Sequence, residues 1–362
     1  MILTYCVIII ALFFAMNIGA SGAAATMGAV YGAGAIKRQR IALFLVGIAA
    51  LAGAVIGSGE VVKTVGAGII PANILSVETV LVILLSAALT LFTANIIGIP
   101  LSTSEVTIGS IVGVGIAYQA LYVNHVLYIV SFWLLVPLVA FGMAFVFQKI
   151  TTVFEKRRSE SGKKSTGKWK KRLSILLILT GLLEAFSAGM NNVANAVGPL
   201  IGAGIIDETS GIWLGGIFVA LGALLLGGRV LETNGKKITS LSLLQGIIVS
   251  GTGGTLVIIA SIFGIPVPLT QATTSAIVGV GTAEKGFQLW QKNVVKKIIK
   301  VWIVSPVMAL VISYSLIHLL LLPDPYIIFI VMSIFVTTFG SISLYRSIKE
   351  EERSVHNDGG GI

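Results

Sequence analysis

Apolar runs of about 20 residues recur along the whole chain, the length a helix needs to cross bilayer hydrocarbon. Polar residues break these runs at a few places only. The stretch "SAGMNNVANAVGPLIGAG", residues 187–204, places Asn191, Asn192 and Asn195 inside an otherwise apolar segment. An unpaired amide in hydrocarbon costs several kcal/mol, so three together call for a purpose.

Composition agrees with the pattern. Of 362 residues 56% are hydrophobic and 11% charged, and mean hydropathy is +0.98. A soluble fold could not hide that much apolar surface. The 42 glycines suit close helix packing in lipid and local helix breaks. One cysteine, Cys6, and three histidines give no disulfide framework and no Cys/His metal site. Residues 1–15 lack a basic leader and read as a retained span rather than a signal peptide. Net charge is +10, concentrated in 149–172, where ten Lys/Arg face two Glu. That reads as a cytoplasmic loop obeying the positive-inside rule, with anionic lipid headgroups or nucleic acid as the lesser reading; nucleic acid is not expected as a partner, membrane lipid is.

The chain repeats itself. "AMNIGASGAAATMGAVYGAGAI" (15–36) echoes "GMNNVANAVGPLIGAGII" (189–206), 53–66 aligns with 222–235, and 98–115 with 264–281. Trp133 and Pro137 match Trp302 and Pro306. This divides the chain into a first repeat (1–148), a basic linker (149–172), a second repeat (173–322), an extra C-terminal span (323–345) and a tail (346–362). Equivalent loops differ in basic charge: "KRQR" (37–40) answers "DE" (207–208), and the Lys/Arg-free 118–125 answers 284–300 with five Lys. Basic loops face the cytoplasm, so the repeats are expected to be inverted, with the N-terminus outside and the C-terminus inside. The expected fold is an all-α polytopic membrane protein: two inverted-topology repeats with broken helices or re-entrant hairpins, about 11 spans or span equivalents. Secondary transporters have this architecture, with the substrate near the midplane.

Each repeat has two polar interruptions. Asn17 with Ser21, and Asn191 with Asn195, lie four apart and share a helix face. Interhelical hydrogen bonding is the plain alternative for any one Asn, but the repeated N-x-x-A-[NS] points to a site. The second interruption is "GIPLSTSEV" (98–106) and "GIPVPLTQA" (264–272). Gly-Ile-Pro ends one helix, and the next opens on Ser102, Thr103 and Ser104, or on Thr270 and Gln271. Free N–H groups at such helix starts attract oxyanions. Ser102-x-x-Glu105 is also a capping box, which needs no substrate.

These four motifs resemble the inorganic phosphate transporter family, whose signatures, a G-A-N-D-V-A-N-A-like and a P-x-S-T-[ST]-[HQ]-like segment, each occur twice. Here they are 16–28 and 189–202, and 100–109 and 266–275. The resemblance implies an anion:cation symporter and a homodimer, with no cofactor. The departures are specific. The family's Asn-Asp pair is Asn17-Ile18 and Asn191-Asn192 here; Glu105 replaces the hairpin histidine, Gln271 stays within the pattern, and Pro268 and Leu269 replace Ser and Thr.

Phosphate near neutral pH keeps a proton that a carboxylate accepts. Sulfate keeps none, so a carboxylate repels it while amides and hydroxyls donate to it. Losing both Asp residues therefore favours sulfate over phosphate, and the pattern is similar to the sulfate-permease branch of the family. The same loss leaves a poorer sodium site. Glu105 is the candidate proton carrier, and Asn192 and Glu184 are further candidates for cation coupling. A dianion entering against an inside-negative potential needs more than two cations to be drawn inward.

Glu60 and Lys63 align with Arg229 and Glu232, signs exchanged. They read either as charges at helix ends or as gating ion pairs between the repeats. Glu184 either orients the Asn cluster, binds a cation or pairs structurally. Trp133 and Trp302 read as membrane-interface anchors or packing. An anion channel is the rival of another class. No nucleophile–base pair, cofactor loop or metal cluster supports an enzyme.

Overall fold

The computed structural model describes residues 1–97, 101–160, 167–232, 241–286 and 293–327, with 329, 330 and 333. These residues are nearly all helical. In chain order the main helices are α1 (Ile2–Ile18), α2 (Gln39–Gly57), α3 (Gly59–Ala67), α4 (Val77–Ile97), α5 (Thr103–Ala117), α6 (Val123–Glu160), α7 (Gly167–Gly202), α8 (Glu208–Leu226), α9 (Gly228–Glu232), α10 (Leu243–Ile262), α11 (Leu269–Lys285) and α12 (Asn293–Leu320). Eight segments among the described residues are long and apolar enough to cross a membrane; α5 and α11 are shorter. The extra span at 323–345 lies mostly, and the tail wholly, outside the described residues.

Side-chain distribution fits a lipid environment. Leu138, Leu225 and Ile303 are exposed on the spans, while Ser104, Glu105, Glu184, Asn191 and Asn195 are buried. With no water in the bilayer core, polar groups turn inward to find partners.

Helix starts are capped from sequence. Asp207 accepts from Ser210 N at 2.9 Å at the head of α8, and Ser242 and Gln245 form a capping box on α10. Gly34 (φ +73°) and Gly204 (φ +66°) close the same turn: each is followed by an N–H bonded five residues back, Ala35 to Val30 O and Ile205 to Leu200 O. The left-handed conformation there favours glycine.

The unit Met1–Ser313 holds its helices together by backbone touching backbone. The carbonyls of Val219 and Ala50 occupy the places a Cβ would take on Gly19 and Gly189. Likewise the carbonyl of Met16 blocks Gly222 and that of Phe186 blocks Gly53. Small residues allow such approaches in lipid. The contacts are reciprocal, matching Gly19 with Gly189, Gly53 with Gly222, Ala50 with Val219 and Met16 with Phe186. A second reciprocal set holds α5 against α12 and α11 against α6: Gly113 meets the Leu310 carbonyl and Gly279 that of Phe141. In the unit Tyr314–Ile362, His318 Nδ1 bonds Leu322 O at 3.1 Å and stacks near Tyr314.

Three expectations change. First, the register: the structure matches Ser21, not Asn17, with Asn191, because Gly19 rather than Ala15 occupies the place of Gly189. The four-residue slip in the sequence comparison arose from the shared Met-Asn dipeptide. Second, the Asn segment is not a break in the second repeat. Helix α7 runs unbroken through Asn191, Asn192, Asn195 and even Pro199, whereas the first repeat widens into a π turn at Gly19–Ala23. Third, the basic linker is largely helix: α6 continues to Glu160 and α7 begins at Gly167.

A buried amide and hydroxyl cluster as candidate functional site

The second-repeat break is a built turn. Gly264 takes φ +69°, Ile265 N bonds Ala260 O at 2.9 Å, and Val267 and Pro268 lead extended into α11. A Cβ at Gly264 would lie 3.0 Å from Glu60 O, so α3 seals this turn. The first-repeat turn, residues 98–100, lies outside the described residues; α5 follows it with Ser102 as N-cap, accepting from Glu105 N at 3.4 Å.

Between the start of α5, helix α7 and the second break lies a buried polar cluster. Ser104 Oγ donates to Asn191 Oδ1 at 3.2 Å, which also accepts from Val267 N at 3.1 Å. Asn191 Nδ2 donates to Ser261 Oγ at 3.0 Å and Ile265 O at 3.1 Å. Asn195 Nδ2 reaches Ser104 Oγ at 3.1 Å and Thr103 Oγ1 at 3.4 Å. Thr103 Oγ1 in turn donates to Asn192 Oδ1 at 3.1 Å. Asn195 Oδ1 is buried without a partner. None of these groups is charged, and their hydroxyls and amides can all donate to an oxyanion.

The structure brings Thr103, Ser104, Asn191, Asn192 and Asn195 together. It leaves others apart. Asn17 Nδ2 bonds Phe13 O at 3.0 Å and Ser21 Oγ bonds Asn17 O at 2.8 Å, both within their own helix. Ser102 is committed to its cap. Thr270 is half-buried at the head of α11, and its backbone carbonyl accepts from Thr274 Oγ1 at 2.6 Å. Gln271 turns the other way, toward Glu105.

Glu105 does not complete a capping box. Its carboxylate receives hydrogen bonds from Gln271 Nε2 and, at 2.6 Å, from Ser305 Oγ of α12. It floors a cavity of about 890 Å³ whose walls come in matched pairs, Trp133 with Trp302 and Pro137 with Pro306. The walls are mostly apolar, with Gln271, Thr274 and Ser275 beside Glu105 as the polar part of the lining. Glu184, buried on α7, does not orient the Asn cluster; it accepts from Thr273 Oγ1 at 2.6 Å.

Glu60 and Lys63 pair with each other at 2.6 Å while more than half exposed, so Glu60 is not bridging the repeats here. That hydrogen bond holds the Lys63 ammonium above its ordinary pKa. Arg229 and Glu232 sit on short α9. Trp133 is no membrane-interface anchor: buried, it donates Nε1 to Pro266 O at 2.9 Å and braces the second break. Sequence reasoning missed this brace, Ser261 and Ser305, since a lone Ser or Trp in an apolar helix carries no spacing signal. No cluster of His, Cys, Asp or Glu fit for a metal occurs among the described residues.

The phosphate transporter family model matches residues 18–313. The chain belongs to the phosphate transporter family. Members of this family are membrane permeases rather than enzymes. It is 57% identical over 355 residues to the sulfate permease CysP of Bacillus subtilis, covering 98% of this chain and 99% of that one. The fold matches a solved structure, "The sodium-dependent phosphate transporter", with TM-score 0.77 and 24% identity over 90% of this chain and 100% of the other.

Proposed function

We propose that this family member is a secondary active sulfate importer of the plasma membrane, working by alternating access of two inverted repeats. One observation carries the cargo assignment. The cluster around Asn191 consists of hydroxyls, side-chain amides, one backbone N–H and the carbonyls of Ile265 and Val267, with no carboxylate among the partners of Asn191 and Asn195. A proton-free tetrahedral dianion offers only acceptors, and a neutral donor set matches it. Asn192 Nδ2 makes no hydrogen bond to the described residues, and Asn191, Asn195, Thr103 and Ser104 can turn donors from one another to the anion. The 57% identity to a sulfate permease supports the same cargo.

The reciprocal glycine contacts and the paired cavity walls support the inverted-repeat reading. We assign Glu105 as the proton carrier, because it is buried at the contact of α5, α11 and α12 and both its oxygens face donors that tolerate the ionised and the neutral acid. The N-terminus outside, the C-terminus inside, and a homodimer complete the reading. Uptake of labelled sulfate into proteoliposomes tests it. Sulfate concentrated under an imposed proton gradient, and displaced by excess sulfate more than by phosphate, is the expected result. Phosphate uptake without sulfate uptake reverses the cargo, and uptake that never concentrates sulfate points to a channel.

A further inference from the structure

We propose that Glu184, Thr273 and Ser250, around the space left by Gly253, form a binding site for one small monovalent cation of the sodium class, separate from Glu105. This deepens the transport reading by naming a second coupling ion.

Glu184 is 1% exposed in the middle of α7. Among the described residues no cationic side chain pairs with Glu184. A carboxylate so placed needs a neutralising partner. The groups facing it come from α10 and α11: Thr273, Ser250 and the backbone at Gly253 and Gly254, none of them titratable.

The partners are oxygen ligands. Thr273 Oγ1 donates to Glu184 Oε1 at 2.6 Å, yet it also lies 3.0 Å from Leu269 O. Its proton can swing to that carbonyl, turning a lone pair toward a cation. Ser250 is 1% exposed and turned toward the carboxylate, with its Oγ outside 3.5 Å hydrogen-bond geometry to any described group. Hard cations take such carboxylate and hydroxyl oxygens. Glu105 contrasts with this, for one of its two partners is the Gln271 NH₂, which only donates and cannot ligate a metal ion.

Gly253 makes the room. A Cβ built there would lie 3.3 Å from Thr273 Oγ1 and 3.5 Å from Glu184 Oε1. Alanine fits with a small adjustment but fills the space beside both oxygens. Beyond them, the α10 backbone crosses α7 closely, a Cβ at Gly254 falling 3.0 Å from Glu184 N and Cα. The matching position in the first repeat, under the register of Gly19 with Gly189, is Phe14, so that repeat has no carboxylate to offer here.

Equilibrium binding of radiolabelled sodium to the purified full-length protein, with choline holding ionic strength constant, tests the site. Saturable binding displaced by lithium better than by potassium is expected. Glu184→Gln keeps an acceptor for Thr273 but removes the charge, and Gly253→Ala keeps the carboxylate but fills the space. Each should weaken sodium binding roughly tenfold or more, while Glu105→Gln retains it. No saturable binding by the wild type, or wild-type binding by both Glu184→Gln and Gly253→Ala, overturns the proposal. Sulfate uptake by the same preparations separates the two readings. Uptake without sodium binding removes the site and leaves transport; sodium binding without uptake does the reverse.

Discussion

Gln271 donates its side-chain amide to Glu105, and the two residues occupy the same position in the two hairpin motifs. The acid of one repeat is thus held by the amide that replaces it in the other. Buried and hydrogen-bonded on both oxygens, it is the group to which the proposed proton coupling is assigned.

Glu105→Gln should abolish concentration of sulfate under a proton gradient while sulfate exchange continues. Counterflow and gradient-driven uptake in the same proteoliposomes check it. Accumulation at the wild-type ratio would remove Glu105 from coupling.

Gln271→Glu alone sets two carboxylates against each other in a buried site and should lower thermal stability by about 1–3 kcal/mol. The exchanged double variant, Glu105→Gln with Gln271→Glu, restores one donor and one acceptor. Its melting temperature should return most of the way, as differential scanning measurements can show.

Asn195→Asp places a carboxylate beside Thr103 and Ser104, replacing an amide whose Oδ1 is already unpartnered. Sulfate uptake should fall about tenfold or more at neutral pH, with competition by phosphate increased, because a phosphate proton can bond the new acid. Initial rates with both competitors decide it; unchanged selectivity would remove this face of α7 from the anion's surroundings.

Trp133→Phe keeps the ring and deletes the donor to Pro266 O. Lost stability of about 1 kcal/mol is expected, with slower sulfate uptake and little change in apparent affinity. By contrast, reversing the charge at Glu60 should leave uptake and melting temperature unchanged, since its partner Lys63 is exposed and on the same helix.

Much of the fold was legible, because apolar runs and Gly-Ile-Pro turns dictate helices and breaks directly. The convergence of Asn191 and Asn195 with Thr103 and Ser104 followed from motif residues at helical spacing. The register of the first motif did not: Met-Asn at 16–17 imitates Met-Asn at 190–191, and only the carbonyl contacts of Gly19 and Gly189 separate the two matches. The partner of Glu105 was equally hidden, since a capping-box spacing satisfied local rules while tertiary contacts to Gln271 and Ser305 prevailed.

Glycine against carbonyl has a mechanical consequence. A helix cannot slide where its neighbour's oxygen sits in the hollow of a missing side chain, so α1 is locked to α8 and α2 to α7, as are α5 to α12 and α11 to α6. Where α5 and α11 meet α7, by contrast, hydroxyls and amides join them through bonds that break and re-form at little cost. The weakest seam between helices therefore runs through the cluster proposed to hold the anion.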